Sequence, residues 1–325
     1  MKAALCKSFD GPEALTIETL PDPVPGPGQA IVRVKAAALN FLDTLITRGK
    51  YQYKPEFPFS PSAEFAGEVE ALGTDVAADV KVGQRVFGYV GYGAARERLA
   101  IAADALVPLP DAVTDAAGAS LSVIYGTAVH GLRDRGRLQP GETVAVLGAS
   151  GGAGLAAVEI ASLLGAKVIA AASSPEKLEI CRQHGAAATF DYSKGDLKQG
   201  LRDLTAGRGV DLIYDCVGGD YAEPALRSIA WGGRYLVVGF AAGQIPRIPL
   251  NLLLLKSCDL VGVFWGESTR RDPAGHRRNM IDVARWVAEG RLTPHIHATY
   301  PLERIAEAID VLDTRKVTGK VIVVM

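Results

Sequence analysis

The stretch that decides the fold is Thr143-Val-Ala-Val-Leu-Gly-Ala-Ser-Gly-Gly-Ala-Gly154. Its apolar, β-branched start (Thr143–Leu147) predicts a buried parallel strand, and the spacing over residues 155–164 predicts a helix. Between them, glycine at every third position permits a tight turn and close approach of backbone N–H groups to a phosphate. This context suits a dinucleotide pyrophosphate at a helix N-terminus. The candidate contacts are Ser150, Gly151, Gly152 and Ala153.

An ordinary βα turn is the plainer alternative for this stretch, because Ser150 replaces the second glycine of the usual G-x-G-x-x-G pattern. The rest of the chain bears on this choice. Downstream, strand-like runs alternate with helical patterns, which predicts βαβ units and a doubly wound parallel sheet. The predicted further strands span residues 167–173, 188–192, 210–217, 233–240 and 259–265.

Glycine-rich loops follow the predicted strands over residues 143–147, 210–217 and 233–240. In such sheets, ligands bind outside the carboxyl ends of the strands, so the three loops are expected to line one crevice. Their agreement favours a dinucleotide site over an ordinary turn. It also adds Val217, Phe240 and Ala241 as candidate cofactor contacts.

The N-terminal third has a different character. Short strand-like runs with irregular connections predict a partly open β-barrel, with one short helix over residues 40–48. A longer helix is predicted over residues 116–133. After residue 265 the βα rhythm stops, and the tail is expected to return to the first domain. The chain is thus predicted to be α/β, with residues 1–118 and 266–325 forming the β-barrel domain and residues 119–265 the Rossmann domain.

Composition limits the classes of function. The 325 residues carry a formal net charge of −1, which argues against nucleic acid or an anionic membrane as the main partner. No uninterrupted apolar run, residues 252–255 included, exceeds five residues, which is far too short to span a bilayer. No secretory signal is visible, and the four scattered cysteines fit a reduced, cytoplasmic protein.

The end of the second Rossmann strand indicates which dinucleotide binds. An NAD-specific domain has an Asp or Glu there for the ribose 2′-hydroxyl, whereas this strand ends in Ser173 and Ser174. Lys177 can add positive charge and Tyr192 a hydroxyl, so we predict NADPH rather than NADH. The plainer alternative is that Ser174 only caps the next helix and Lys177 is only solvated.

Motifs along the whole chain resemble those of a known family. The chain is similar to the medium-chain dehydrogenase/reductase superfamily, and most similar to its zinc-independent quinone oxidoreductase (ζ-crystallin-like) branch. The resemblance implies a GroES-like barrel plus a Rossmann domain, and a homodimer joined through the edge strand at residues 259–265. Besides the glycine-rich turn, the motifs are Met1-Lys-Ala with Gly11-Pro12, Asn40-x-x-Asp43…Arg48-x-Gly49-x-Tyr51, Glu64-x-Ala66-Gly67-x-Val69, Gly83-x-Arg85-Val86, Tyr125-Gly-Thr-Ala128 and Gly319-Lys320.

The ligands of the zinc-dependent relatives are missing. Those enzymes have a cysteine at or near the place of Asn40 and a Gly-His-Glu element where Ser62-Ala-Glu64 stands. Zinc catalysis needs about three side-chain ligands. The only close histidine pair, His295 and His297, has no third ligand within reach of the sequence. We therefore predict no metal.

The resemblance implies hydride transfer from NADPH to a quinone. Asn40 is predicted to donate to a carbonyl oxygen or to hold the nicotinamide ribose. Tyr51 stands where related enoyl-thioester reductases have a proton-donating tyrosine, although a packing role at the cleft mouth is an equal alternative. Tyr53 is a weaker candidate of the same kind, and Asp43 is expected to fix the local helix.

The resemblance also implies further cofactor contacts. Thr127 is predicted on the nicotinamide side, and Arg315 matches a family contact by its motif position. Phe240, Phe264 and Trp265 follow strand ends and could wall the cleft, with a core role as the alternative.

Two other functions stay open at this stage. One is the reduction of activated C=C bonds in enals, enones or enoyl thioesters. The other is NADPH binding with only vestigial activity.

Overall fold

The computed structural model describes residues 1–76, 79–314 and 316–325. The predicted contact Arg315 lies outside these residues. In chain order the strands are β1 (Lys2–Leu5), β2 (Thr16–Thr19), β3 (Gln29–Leu39), β4 (Glu64–Leu72), β5 (Arg85–Tyr89), β6 (Arg98–Ala102), β7 (Val107–Pro108), β8 (Thr143–Leu147), β9 (Lys167–Ala172), β10 (Ala188–Asp191), β11 (Val210–Asp215), β12 (Ile229–Val237), β13 (Asp259–Gly262), β14 (Ile296–Pro301) and β15 (Lys320–Val324).

The helices are α1 (Phe41–Ile46), α2 (Asp115–Ala119), α3 (Leu121–Val129), α4 (Gly152–Leu163), α5 (Pro175–Gln183), α6 (Leu197–Asp203), α7 (Ala222–Arg227), α8 (Asn251–Lys256), α9 (Trp265–Arg271), α10 (Pro273–Ala288) and α11 (Ile305–Asp313). These elements form two compact units. One contains Met1–Val123 and Thr269–Met325, and the other contains Ile124–Ser268. The sequence placed the boundaries at residues 118/119 and 265/266.

The second unit is built on a six-stranded sheet in the order β10-β9-β8-β11-β12-β13. Every pair in it is parallel, which confirms the predicted doubly wound sheet. The chain runs outward from β8 through β9 to β10, and then restarts at β11 on the other side. This reversal puts the topological switch point between β8 and β11, where such sheets bind ligands. All five residues of β8 are buried, as its apolar run predicts.

Several elements of this unit differ from the prediction. The last strand ends at Gly262, and Trp265 begins α9 instead of ending the strand. The predicted helix over residues 116–133 is two helices, because Ser120 ends α2 by donating its hydroxyl and its N–H to the carbonyl of Ala117. A π-helical turn (His130–Arg135) follows α3.

The first unit is mainly antiparallel β-structure. A two-stranded sheet pairs β1 with β2, and a seven-stranded sheet has the order β14-β15-β3-β4-β5-β7, with β6 also on β3. Its long central strand β3 contributes buried residues to the hydrophobic core of this unit. The C-terminal strand β15 pairs antiparallel with β3, so the tail residues complete a sheet begun by the N-terminal third. This pairing brings Lys320 close to residues at the end of β3.

No helix in the described ranges is long and apolar enough to cross a membrane.

Candidate active site

The glycine-rich turn lies at the carboxyl end of β8. Gly148 has φ 69°, a left-handed value that favours glycine, and α4 begins at Gly152 with Gly151 as its N-cap. Gly154 lies against the backbone of Gly148, so a side chain there would overlap the carbonyl. Among the described residues, no side chain caps the first turn of α4. The N–H groups of Gly152 and Ala153 therefore begin an uncapped helix, which suits an anionic phosphate.

The neighbouring strand end at β11 is held by a buried carboxylate. Asp215 accepts hydrogen bonds from the N–H of Val217 at 2.7 Å and of Gly218 at 2.9 Å. Its other oxygen accepts from the Tyr235 hydroxyl at 2.5 Å. Burial raises the pKa of Asp215 despite these donors. The loop with the predicted contact Val217 is thus fixed beside the glycine-rich turn, because β11 pairs with β8.

The predicted contacts Phe240 and Ala241 follow β12, the next strand along. The N–H of Ala241 donates to the Cys216 carbonyl at 3.1 Å, so the loops after β11 and β12 are bonded to each other. Ser150, within the glycine-rich turn, is buried. The structure therefore brings the candidates after β8, β11 and β12 to one edge of the sheet.

The end of β9 carries the residues predicted to select NADPH. Lys177 donates its ammonium proton to the Ser173 hydroxyl at 3.3 Å. Ser174 is the N-cap of α5 and accepts from the Lys177 N–H at 3.4 Å, so the capping role is present. Glu176, at the same helix start, was not among the predicted site residues. Its pKa is held below its usual range first by a backbone hydrogen bond and then by the Ser174 hydroxyl.

Tyr192 follows the adjacent strand β10. Its N–H donates to the Ala172 carbonyl at 3.2 Å, which places Tyr192 beside the end of β9. The Tyr192 ring packs on Tyr221 with 4.6 Å between centroids. Burial raises the pKa of Tyr192 to about 12, so its hydroxyl is protonated and can donate.

The two aromatic residues after β13 differ in their exposure to solvent. Phe264 is 61% exposed, so a core role for it is wrong. Trp265 is 7% exposed, and its indole packs against Gly126 of α3, where an added Cβ would lie 2.7 Å from the ring. The core role thus holds for Trp265. Thr127 is half-buried on α3.

In the first unit, Asn40 belongs to a buried ionic network. Lys320 donates to the Asn40 Oδ1 at 2.7 Å, to the Glu64 Oε1 at 2.7 Å and to the Leu39 carbonyl at 2.9 Å. The Asn40 Nδ2 donates to Glu64 at 2.9 Å. The second Glu64 oxygen accepts from the Val123 N–H at 2.7 Å. Lys320 and Glu64 side chains are 2% and 0% exposed, so the charges balance each other away from water.

These hydrogen bonds determine which atoms of the Asn40 amide already have a partner in the protein. Its nitrogen is directed at Glu64 and, at 3.4 Å, at the Ala38 carbonyl, whereas Oδ1 accepts from Lys320. Both amide protons thus point at protein acceptors, which does not suit donation to a carbonyl oxygen. The role of Asn40 toward the nicotinamide ribose stays a prediction. Glu64 and Lys320 were not predicted as site residues. The sequence feature that could have indicated this network is Lys320, a cation at the start of an apolar strand.

Asp43 fixes the start of α1, as expected. Its carboxylate accepts from the N–H of Asn40 at 2.8 Å and of Ser62 at 2.7 Å. Ser62 has φ 68°, an uncommon value for a residue other than glycine, and Asp43 helps to hold it there. Burial raises the pKa of Asp43 to about 6, against the lowering effect of its two backbone donors and of Lys320.

Tyr51 presents a hydroxyl for which the described residues offer no hydrogen-bond partner. Burial, and next the charge of Asp43, raise the pKa of this phenol. Tyr53, in contrast, donates its hydroxyl proton to the Gly91 carbonyl at 3.0 Å. The two rings meet edge to face, with 4.9 Å between centroids and 84° between planes. A protonated hydroxyl without a partner can serve as a proton donor, and Tyr51 alone of the two has one.

No three His, Cys, Asp or Glu side chains in the described parts of the chain are grouped so that they could hold a metal ion. The two histidines considered above instead meet the Thr318 hydroxyl, with His295 Nε2 at 3.3 Å and His297 Nδ1 at 3.5 Å.

Comparisons with known proteins agree with this architecture. The profile of the family described as "Alcohol dehydrogenase GroES-like domain" matches residues 26–111, and that of "Zinc-binding dehydrogenase" matches residues 152–282. Quinone oxidoreductase-like protein 2 of Rattus norvegicus is 41% identical over 323 residues, covering 99% of this chain and 91% of that protein. The chain belongs to the medium-chain dehydrogenase/reductase superfamily, in its quinone oxidoreductase-like branch.

This membership confirms the predicted pairing of a GroES-like domain with a Rossmann domain, and makes the chain an oxidoreductase that uses a nicotinamide cofactor. Quinone oxidoreductase of Mus musculus is 32% identical over 332 residues, covering 100% of this chain and 98% of that protein. Among solved structures, Escherichia coli quinone oxidoreductase complexed with NADPH is 27% identical, with a TM-score of 0.90 and both chains fully covered.

Proposed function

We propose that this chain is an NADPH-dependent, zinc-independent quinone oxidoreductase. The observation that carries the cofactor choice is the end of β9, where Lys177 and Ser173 are hydrogen-bonded and no carboxylate occupies the NAD-type position. An ammonium and hydroxyls favour a 2′-phosphate, which a carboxylate there would repel. The NADPH complex of the Escherichia coli relative supports the same choice.

Different residues of the chain would bind different parts of NADPH. The uncapped start of α4 would hold the pyrophosphate through the N–H groups of Gly152 and Ala153. Lys177, Ser173 and Tyr192 would hold the 2′-phosphate. When bound, NADPH supplies the hydride.

The cofactor choice is tested by Lys177→Ala. Loss of one charged hydrogen bond at a partly exposed site should weaken NADPH binding about fivefold to thirtyfold and leave NADH binding unchanged. Lys167→Ala is the matched control, because Lys167 is exposed at the opposite end of the same strand. The measurement is a fluorescence titration with both dinucleotides. An unchanged ratio of the two dissociation constants in Lys177→Ala would reject the assigned pocket.

Zinc independence is supported by the residues at the relatives' ligand positions. Asn40 stands at the place of the cysteine, and Ala63 stands where the Gly-His-Glu element has its histidine. We expect the turnover rate to survive dialysis against a chelator, with metal content checked by elemental analysis. A rate lost on chelation and restored by zinc would reject this part of the proposal.

A second activity, the reduction of enals or enones, is favoured by the Tyr51 hydroxyl. Hydride addition to an activated C=C bond leaves an enolate that needs a proton, and a protonated phenol can donate it. Tyr51→Phe should therefore lower enone turnover much more than quinone turnover. Loss of NADPH absorbance is followed with quinones, enals and enoyl-CoA. Tight NADPH binding without turnover on any of them would instead favour a binding protein with vestigial activity.

We also propose a homodimer formed through β13. This strand is at the sheet edge, and Leu260 on it is exposed together with Leu254 and Leu255 of α8. Exposed edges and apolar patches of this kind commonly mark association surfaces. Leu254→Asp/Leu255→Asp should shift sedimentation from dimer to monomer. A wild-type monomer at micromolar concentration would contradict the proposal.

A further inference from the structure

Tyr51 lies in an irregular segment, outside any helix or strand. A reactive group must be held to within a fraction of an ångström to be effective, and loops supply less precision than helices and strands. The position of the Tyr51 hydroxyl therefore depends on side chains packed against its ring. The ring in edge-to-face contact with it is that of Tyr53.

Tyr53 is itself anchored at its hydroxyl. It donates its single proton to the Gly91 carbonyl at 3.0 Å, and the hydroxyl of Tyr89 lies near the same residue. Gly91 has φ 77°, and a Cβ built on it would lie 3.6 Å from the Tyr53 hydroxyl and 3.9 Å from the Tyr89 hydroxyl. Both phenols thus converge on one glycine turn. That turn follows β5, a regular strand that ends at Tyr89.

The anchor connects the loop to the sheet. Tyr89 pairs with Glu64 of β4 in the antiparallel register, so its backbone is fixed beside the buried ionic network. Burial raises the pKa of Tyr89 to about 12 and also raises the pKa of Tyr53, so both remain protonated hydrogen-bonding groups at neutral pH. We propose that Tyr53, anchored to the Gly91 carbonyl, is a positioning residue that holds the Tyr51 hydroxyl for the acceptor. This inference rests on the proposed proton-donor role of Tyr51.

The kinetic test uses Tyr53→Phe, which keeps the ring on Tyr51 and removes only the anchoring hydroxyl. The enone kcat should fall about fivefold to tenfold, the factor that corresponds to one neutral hydrogen bond, with KM within about twofold. Combined with Tyr51→Phe, the substitution should add nothing, because Tyr53 acts through Tyr51. Additive losses in the double variant would overturn the inference. Tyr92→Phe is the matched control, since the Tyr92 ring is 6.2 Å from that of Tyr53 and the described residues give its hydroxyl no partner.

A second readout needs no substrate. Tyrosine labelled at Cζ is followed by NMR, and the pKa of Tyr51 is measured in each variant. Release of Tyr53 should admit water to the Tyr51 ring and move its pKa toward the ordinary value of 10.0. Tyr92→Phe should leave it in place. An unmoved Tyr51 pKa in Tyr53→Phe would refute the positioning role. If Tyr51→Phe leaves turnover unchanged while Tyr53→Phe moves this pKa, the proton-donor proposal fails and the positioning of Tyr51 stands.

Discussion

Replacement of Lys320 by methionine should cost the first unit much of its stability. The ammonium donates to three acceptors, the Leu39 carbonyl, Asn40 Oδ1 and Glu64 Oε1, at 2.9, 2.7 and 2.7 Å. Lys320→Met leaves the Glu64 carboxylate buried, with only the Asn40 amide and the Val123 N–H as donors. Breaking a buried pair on one side costs about 3–5 kcal/mol, and the two remaining donors place this case near 3.

The chain supplies a matched control for this measurement. Lys2 and Glu303 form the same kind of pair at 2.8 Å, but their side chains are 54% and 52% exposed. Lys2→Met should therefore produce no measurable loss of stability, because water can solvate the exposed Glu303 carboxylate once the ammonium is gone. The two pairs match in residue types and in distance, and they differ in burial and in the two further acceptors of Lys320.

The assay is urea unfolding of the full chain followed by circular dichroism, with hydrogen exchange of β3 and β15 assigning the loss to their sheet. Adding Glu64→Gln to Lys320→Met should recover part of the loss, because the stranded charge is gone. A coupling energy above about 1 kcal/mol is expected between the two positions. If Lys320→Met cost no more than Lys2→Met, the reasoning from a buried, charge-balanced network would be refuted.

Two further predictions concern pH and the phosphate site. The pKa of Asp43 is about 6 in the fold against 3.8 ordinarily, so the folded state holds this proton more tightly than the unfolded chain. The free energy of unfolding should thus fall by up to about 3 kcal/mol as pH rises from 3.8 to about 6. Urea unfolding at several pH values should show a smaller fall for Asp43→Asn. An equal pH dependence of the unfolding free energy in the wild type and Asp43→Asn would contradict the raised pKa of Asp43. Gly151→Ala should fold normally, since φ is −73° and the added Cβ meets only the Gly148 carbonyl at 3.5 Å. Its methyl should weaken NADPH binding at least about tenfold in a fluorescence titration, and an unchanged dissociation constant would mean that the phosphate does not approach Gly151.

Much of the Rossmann unit was predictable from local patterns. The β-branched run of β8 and the alternation of strands with helices are periodic signals within short windows, and they correctly indicated a parallel sheet. The end of β13 was not predictable in this way. Phe264 and Trp265 continue the apolar run, but packing of the indole on Gly126 turns the chain into α9. Tertiary packing overrode a local strand preference there.

The candidate site was predictable in its residue types and less so in their roles. Ser173, Ser174 and Lys177 are neighbours in sequence, so their hydrogen bonds form within one helix start. The sequence favoured Tyr51 over Tyr53 by motif position alone. They differ in the fold because the Gly91 carbonyl, 38 residues from Tyr53, receives one hydroxyl proton and leaves the other available.

The glycine-rich turn and the strand it follows were readable from the chain alone, because spacing along a backbone decides which residues share a turn or a strand face. The state of Asn40 was not, since its oxygen is bound by Lys320, 280 residues away. That bond exists only because β15 pairs with β3 and brings a lysine to the end of a strand formed much earlier in the chain. Local order along the chain thus predicted the nucleotide fold, whereas long-range strand pairing decided which groups of the GroES-like unit are occupied and which are available for chemistry.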